Sequence, residues 1–230
     1  CFSSGKGGDA ISFIMELEGI NYIEALKFLA NKYGIEVEEE EQTDEQIQAQ
    51  NERESLFIIL NFAKDYFAET LWGHDEGKSI GLSYFKERGF TDETIEKFQL
   101  GFSPEHSTAF ADYAIQNQYS EKALEASGIS MKNERGWYDR FRGRVMFPIH
   151  NLTGKVIGFG GRILKKDAKT AKYLNSPESE IYHKSNILYG IFQAKKSIVQ
   201  NDRCYLVEGY TDVMALHQSG IENVVASSGT

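Results

Sequence analysis

The stretch YLVEGYTDVMAL, residues 205–216, holds the side chains best placed to do chemistry. Tyr205 to Val207 read as a buried parallel strand. Glu208 is then the first residue past its carboxyl end, where ligands bind in open α/β sheets. Gly209 permits a sharp turn. Asp212 falls in the first turn of the following helix, four residues after Glu208. Two carboxylates so placed can face one crevice. They suit Mg²⁺, which takes one or two carboxylates together with substrate phosphates. The plainer alternative is a solvated Glu208 and an Asp212 that serves only the helix dipole.

A second group is cationic. In DRFRGRVMFPI, Arg140, Arg142 and Arg144 alternate, so all three are expected on one face of a strand. The interleaved Phe141, Val145 and Phe147 break strict alternation and imply a bend near Gly143. Like charges in a row repel, and a bound polyanion would justify them. The alternative is a solvated antiparallel face with incidental arginines. Arg162 follows two glycines, where backbone can approach a phosphate closely. Lys172, Tyr173, Asn175 and Lys184 add cations, an aromatic face and an amide within KYLNSPESEIYHKSNILYG. Stacking on tyrosine and neutralisation by lysine is how single strands are held. His183 lacks a partner at ligand spacing and reads as a solvated or core histidine. Tyr182, Leu188 and Tyr189 read as packing residues.

The elements that must hold these groups are legible. Asp9 can cap AISFIMELE, with Gly19 as the stop, and Asn21 with Glu24 can open a second helix ending at Gly34. Thr43 can cap a long helix to about Trp72, with Leu56, Ile59, Leu60, Ala63, Phe67 and Leu71 on one face. Short helices follow over 79–88, 91–100, 107–117 and 120–126. GWYDRFRGRVMFPIHN and GKVIGFGGRIL are strand-like and joined through a turn. A helix over 191–200, the strand CYLVEG, the helix TDVMALHQSG and the strand NVVASS give a β-α-β unit of parallel sheet. The fold class is therefore mixed α/β with the start of a parallel sheet.

Composition sets the outer limits. The chain has 230 residues, 41% hydrophobic and 26% charged, with two cysteines, Cys1 and Cys204. That is no disulfide framework and fits a reducing cytoplasm. No apolar run of about 18 residues offers a membrane span, and no export leader is evident. The net charge of −9 argues at first against nucleic acid. Its distribution argues for it. From Glu36 to Glu54, nine acids stand against one base; from Arg135 to Tyr205, fourteen bases stand against five acids, a net +9. Local field, not total charge, steers a polyanion. The acidic stretch reads as a solvated linker and the basic one as a binding face. The opening SSGKGG lacks the ending and the preceding strand that a phosphate loop requires.

RVMFPI, GKVIGFGGR, KYLNSPES, YHKS with LYG, and VEGYTDVMAL with GIENVVASSGT stand in one order and spacing. Together they resemble the RNA-polymerase domain of bacterial DnaG-type replicative primases, and DAISFIMELEG with EALKFLANKYGIEV resembles the family's start. VEGYTD resembles the first motif of the Toprim fold. The resemblance implies the end of a zinc-binding module over 1–37 and an acidic linker over 38–55. It further implies a basic N-terminal subdomain of the polymerase core over 56–200 and the beginning of a Toprim subdomain over 201–230. It implies that Glu208 and Asp212 are catalytic, Glu208 holding Mg²⁺ or Mn²⁺ with partners that follow Thr230. It implies that Arg140, Arg144, Arg162, Lys172, Tyr173, Asn175 and Lys184 line the cleft for template and nucleotide. Arg142 shares their strand.

Cys1 matches a zinc ligand of the family, and Ser4 stands where its partner should be. One cysteine cannot make a tetrahedral site, so zinc is expected in the parent protein and not on this chain. The implied activity is synthesis of short RNA primers on single-stranded DNA. The implied partners are the template, ribonucleoside triphosphates, an RNA–DNA hybrid and a replicative helicase reached through a further domain, with no membrane. Two other readings stand beside it: a non-catalytic single-stranded-DNA-binding module, and part of a Toprim topoisomerase or nuclease.

Overall fold

The computed structural model describes residues 9–18, 22–35, 43–165 and 171–227. The chain divides into two compact units, Cys1–Ile47 and Gln48–Thr230. In the first, Asp9 accepts from the backbone N–H and the hydroxyl of Ser12, each at 2.8 Å, and starts α1 (Ala10–Glu18). Helix α2 (Tyr22–Tyr33) stops at Gly34, whose φ of +63° only glycine adopts freely. Ile14, Ala25 and Ala30 are buried, but Phe13, Leu17, Ile23 and Tyr33 are exposed. Two helices this short enclose little apolar surface. The expected cap at Asn21 and the cysteine at position 1 lie outside the described residues.

Thr43 and Gln46 form a reciprocal capping box, with bonds of 3.3 and 3.0 Å, at the head of α3 (Asp44–Gly73). The acidic stretch is thus helical from Asp44 onward. The predicted apolar face of α3 is buried in full. The helix expected over 79–88 is instead a π-helical stretch, Gly77–Leu82, running into α4 (Ser83–Glu87). Gly77 sits directly on the Thr70 carbonyl, where any Cβ would collide. The chain there takes the wider, underwound turn of a π-helix, with glycine where it presses on α3. Thr91 caps α5 (Asp92–Lys97) at 3.2 Å.

The second unit is built on an antiparallel sheet in the order β1-β4-β5-β6. Its strands are β1 (Gly101–Ser103), β4 (Arg144–His150), β5 (Val156–Ile163) and β6 (Tyr173–Asn175). Between β1 and β4 lie α6 (Ala109–Gln116), α7 (Glu121–Ala126) and a hairpin of β2 (Ser130–Asn133) and β3 (Gly136–Asp139). Side chains alternate across the sheet. Val145, Phe147 and Ile149 face a core with Phe85, Phe98, Val213 and Met214. Met146 and Phe159 face a second core with Ile59, Ala63, Phe67 and Phe110. Asp139 ties the hairpin to α6. Its carboxylate accepts from Phe110 N at 2.7 Å, Ala111 N at 3.1 Å and the Ser130 hydroxyl at 2.6 Å. Burial nonetheless raises its pKa above the ordinary carboxylate value.

A smaller sheet follows in the order β7-β9-β8, from β7 (Leu188–Tyr189), β8 (Tyr205–Val207) and β9 (Val224–Ser227). Helices α8 (Ile191–Asn201) and α9 (Tyr210–Gln218) connect them, and β8 and β9 are parallel, as the β-α-β reading requires. One expectation is corrected. Among the described residues β8 lies at the edge of this sheet, with Tyr205 44% and Leu206 67% exposed, and the buried strand is β9. The apolar run in β8 identifies a strand but not its place in the sheet. Among the described residues, no helix is long and apolar enough to cross a membrane.

Candidate nucleic-acid interface

The arginine stripe is reorganised by the fold. Arg140 and Arg142 precede β4, in the turn that Gly143 completes with a φ of +63°. Only Arg144 is in the strand. It pairs with Ile163, while its neighbour Val145 pairs with Arg162. Arg144 and Arg162 therefore lie on opposite faces of the sheet. Arg144 is buried, 4% exposed, and donates to the carbonyls of Gly161 at 3.2 Å, Lys172 at 3.4 Å and Ala171 at 3.1 Å. Burial, with the nearby Arg140 charge, pulls its pKa below the usual arginine value. The expectation of one shared arginine face is thus corrected: Arg144 fastens the chain entering β6 to β5. Arg140 turns toward Met131, its guanidinium 3.8 Å from the sulfur.

Arg162 belongs to a different group. Cross-strand pairing sets it opposite Tyr173, and Gly160 opposite Asn175, all on one face. The Arg162 guanidinium donates to the Tyr173 hydroxyl at 2.7 Å and lies 5.3 Å from that ring's centroid. Tyr84, from α4, presents its ring to the same guanidinium at 5.1 Å and to Arg88 at 4.9 Å. Tyr210 closes the other side. Its hydroxyl donates to Asn175 Oδ1 at 2.8 Å, and its ring meets Tyr173 edge-on at 6.2 Å. Only glycine at 160 admits that ring, because a Cβ there would overlap it.

Tyr210 begins α9, two residues after Glu208. Tyr210 thus joins the turn that carries Glu208 to the sheet face that carries Tyr173 and Asn175. Glu208 is exposed. Asp212 accepts from Gly209 N at 3.1 Å and so fixes the turn after β8. Among the described residues, no group of three or more His, Cys, Asp or Glu could hold a metal ion. Glu208 and Asp212 alone do not make a complete divalent-cation site.

Lys172 is exposed beside Tyr173. Lys184 opens a short 3₁₀ turn, held through its backbone N–H by Glu178 at 3.0 Å. His183 is exposed and 3.1 Å from the same carboxylate, the solvated one of the two roles expected of it. Sequence reading missed Tyr84, Arg88 and Tyr210. Tyr210 had a signal, since it stands between the two motif carboxylates. Tyr84 and Arg88 had none, because long-range packing alone brings α4 to β5.

Residues 66–195 match the DNA primase catalytic core, N-terminal domain. Residues 1–45 match the CHC2 zinc finger and residues 202–230 the Toprim domain. These matches point to zinc and to a divalent cation as metals of the family. A DNA primase of Halalkalibacterium halodurans is 40% identical over 232 residues, which is all of this chain and 38% of that protein. The chain thus spans well under half of that relative. The RNA polymerase domain of Mycobacterium tuberculosis primase DnaG superposes with a TM-score of 0.73 at 37% identity, covering 77% of this chain and 57% of the other. A DnaG primase catalytic domain bound to ssDNA superposes at 0.71 and 38% identity, covering 79% and 57%. With matching blocks over its whole length and the same core fold, the chain belongs to the DnaG-type bacterial primase family.

Proposed function

We propose that this chain is the part of a bacterial primase that grips single-stranded template and incoming ribonucleoside triphosphate beside a metal-binding turn. The parent protein then synthesises short RNA primers during replication in the cytoplasm. The observation that carries this is Tyr210, which touches the Tyr173–Asn175 side of the sheet and follows Glu208 by two residues. A polyanion lying along Arg162, Tyr173 and Lys172 reaches the acidic turn. Arg162 and Lys172 neutralise phosphate, Tyr173 offers a stacking face, and Lys184 extends the cationic edge. Arg140 and Arg142 lie in the turn before β4 and serve the flanking strand. Glu208 is the carboxylate that this segment contributes to a divalent-cation site completed by other residues of the parent. Mg²⁺ is the cation that such a site with phosphate ligands prefers.

The chain by itself is proposed to bind DNA without making product. The absence of a three-ligand cluster among the described residues favours that reading for the isolated chain. The test has two arms. In the complete parent protein, Glu208→Gln is expected to abolish primer synthesis in Mg²⁺, a loss of about 10²-fold or more. In the 230-residue chain, the same change is expected to leave single-stranded-DNA affinity within about twofold, because an exposed acid is not the grip. Primer synthesis at wild-type rate by the variant refutes the assignment of Glu208.

A further inference from the structure

We infer that Tyr84 is a positioning residue for Arg162, fixing the plane in which its guanidinium meets a phosphate. The inference rests on the reading of Arg162 as a phosphate contact. The Arg162 guanidinium lies over two tyrosine rings, at 5.1 Å from Tyr84 and 5.3 Å from Tyr173. Its Nη1 is held by the Tyr173 hydroxyl. Its Nε is buried and has no acceptor among the described residues. An arginine N–H left without an acceptor is costly unless something else takes it. A phosphate oxygen in the plane of the group is the natural acceptor, since the guanidinium fork matches phosphate geometry.

The rings do what a flexible arginine cannot do alone. A guanidinium over an aromatic face keeps its in-plane donors turned away from that face. The Tyr84 hydroxyl is also buried and without a partner among the described residues. The ring, not the hydroxyl, therefore carries the contact. Burial raises the Tyr84 pKa, against the pull of Arg162 and Arg88, so the phenol stays neutral. Arg88, over the same ring at 4.9 Å, brings a second cation to this edge. The π-helical stretch sets the placement. Gly81 packs where a Cβ would crowd Leu71 and Phe102, and α4 follows directly from it, carrying Tyr84 to β5.

The test uses the 230-residue chain with two probes, a single-stranded oligonucleotide and ATP. Tyr84→Leu is expected to weaken at least one by about three- to tenfold, as much as Arg162→Ala does. The probe that weakens names the source of the phosphate. Tyr84→Phe keeps the ring and is expected to bind as wild type. In the Arg162→Ala background, Tyr84→Leu is expected to cost nothing more, because the two act through one contact. Additive losses, or an unchanged affinity in a folded Tyr84→Leu chain, overturn the inference.

A measurement without ligand keeps it separable from the functional reading. The Nε–H proton resonance of Arg162 is expected to be shifted by the rings in the wild type and in Tyr84→Phe, and to move toward the ordinary position in Tyr84→Leu. An unshifted wild-type resonance overturns the clamp even if the leucine variant does not fold. Absence of any binding by a wild-type chain that shows the shifted resonance overturns the phosphate reading instead.

Discussion

At the residue scale, like side chains acquire different work from their surroundings. Arg144 and Arg162 are both strand arginines, yet one is enclosed by carbonyls and the other by tyrosine rings. Two histidines show the same dependence. His150 is buried, its Nε2 donating to Gln99 Oε1 at 2.7 Å, and burial with the Lys64 charge pulls its pKa down to about 4. His217 is buried edge-on to Phe98, with neither ring nitrogen partnered among the described residues. Burial and Lys97 hold its pKa near about 4, against the opposing pull of Glu222. Both rings are neutral in the folded chain and charged in the unfolded one between the ordinary value of 6.5 and about 4. The stability they allow is complete above the unfolded pKa and is lost as pH falls toward 4. The loss is about 1–3 kcal/mol for each ring. His217→Phe keeps the shape and removes the titration. Its melting temperature is expected to match or exceed wild type near pH 7 and to fall less on acidification to about pH 4.5. Thermal unfolding of both proteins at the two pH values checks this, and parallel losses would exclude His217 as a source.

Asp139 makes a second test at this scale. Asp139→Asn keeps the volume but leaves one oxygen for three donors. The variant is expected to be less stable by about 1–3 kcal/mol in urea unfolding, since a backbone N–H of α6 loses its acceptor.

At the element scale, what the sequence revealed depended on how local the cause was. Caps and stops depend on a few adjacent residues, and Asp9, Thr43 and Thr91 cap the helices their spacing implies. The β-α-β order is equally local. The one-face arginine stripe was misread because its alternation ran across a turn: GWYDRFRGRVMFPIHN is β3, a reversal at Gly143 and β4, not one strand. The short β1 has too few residues to show a period. The exposure of β8 depends on its place in the sheet, which no short stretch encodes.

β5 fits closely under α9 at Gly160. Gly160→Ala would drive a methyl group into the Tyr210 ring. Such overpacking costs about 1–3 kcal/mol. It should also break the Tyr210–Asn175 bond and weaken single-stranded-DNA binding, whereas Tyr210→Phe, which keeps the ring, should affect binding less. Melting temperature and anisotropy titration read the two effects, and wild-type stability of the alanine variant would show that this contact is loose.

At the scale of the whole molecule, the question is how a chain of net charge −9 holds a polyanion. The segment from Arg135 to Tyr205 carries fourteen bases, but the fold withdraws several of them. Arg144 is buried against carbonyls, Lys165 pairs with Glu105 at 3.0 Å, and Lys195 donates to the Leu152 carbonyl at 2.8 Å. Arg162, Lys172 and Lys184, with Arg140 and Arg142 at the flank, are what the proposed grip offers to phosphates. Each phosphate neutralised on a single strand contributes about −0.7 to the slope of log affinity against log salt. Three to five contacts give a slope of about −2 to −3.5, whereas engagement of all fourteen bases would give about −10. An anisotropy titration of a short labelled single strand, between roughly 50 and 300 mM salt, measures the slope. Arg162→Ala should then reduce it by about 0.7, and Arg144→Ala should lower thermal stability while leaving the slope of the folded protein unchanged. A slope that falls with Arg144 and not with Arg162 would put the nucleic acid on the opposite face of the sheet from Arg162 and refute the proposed grip.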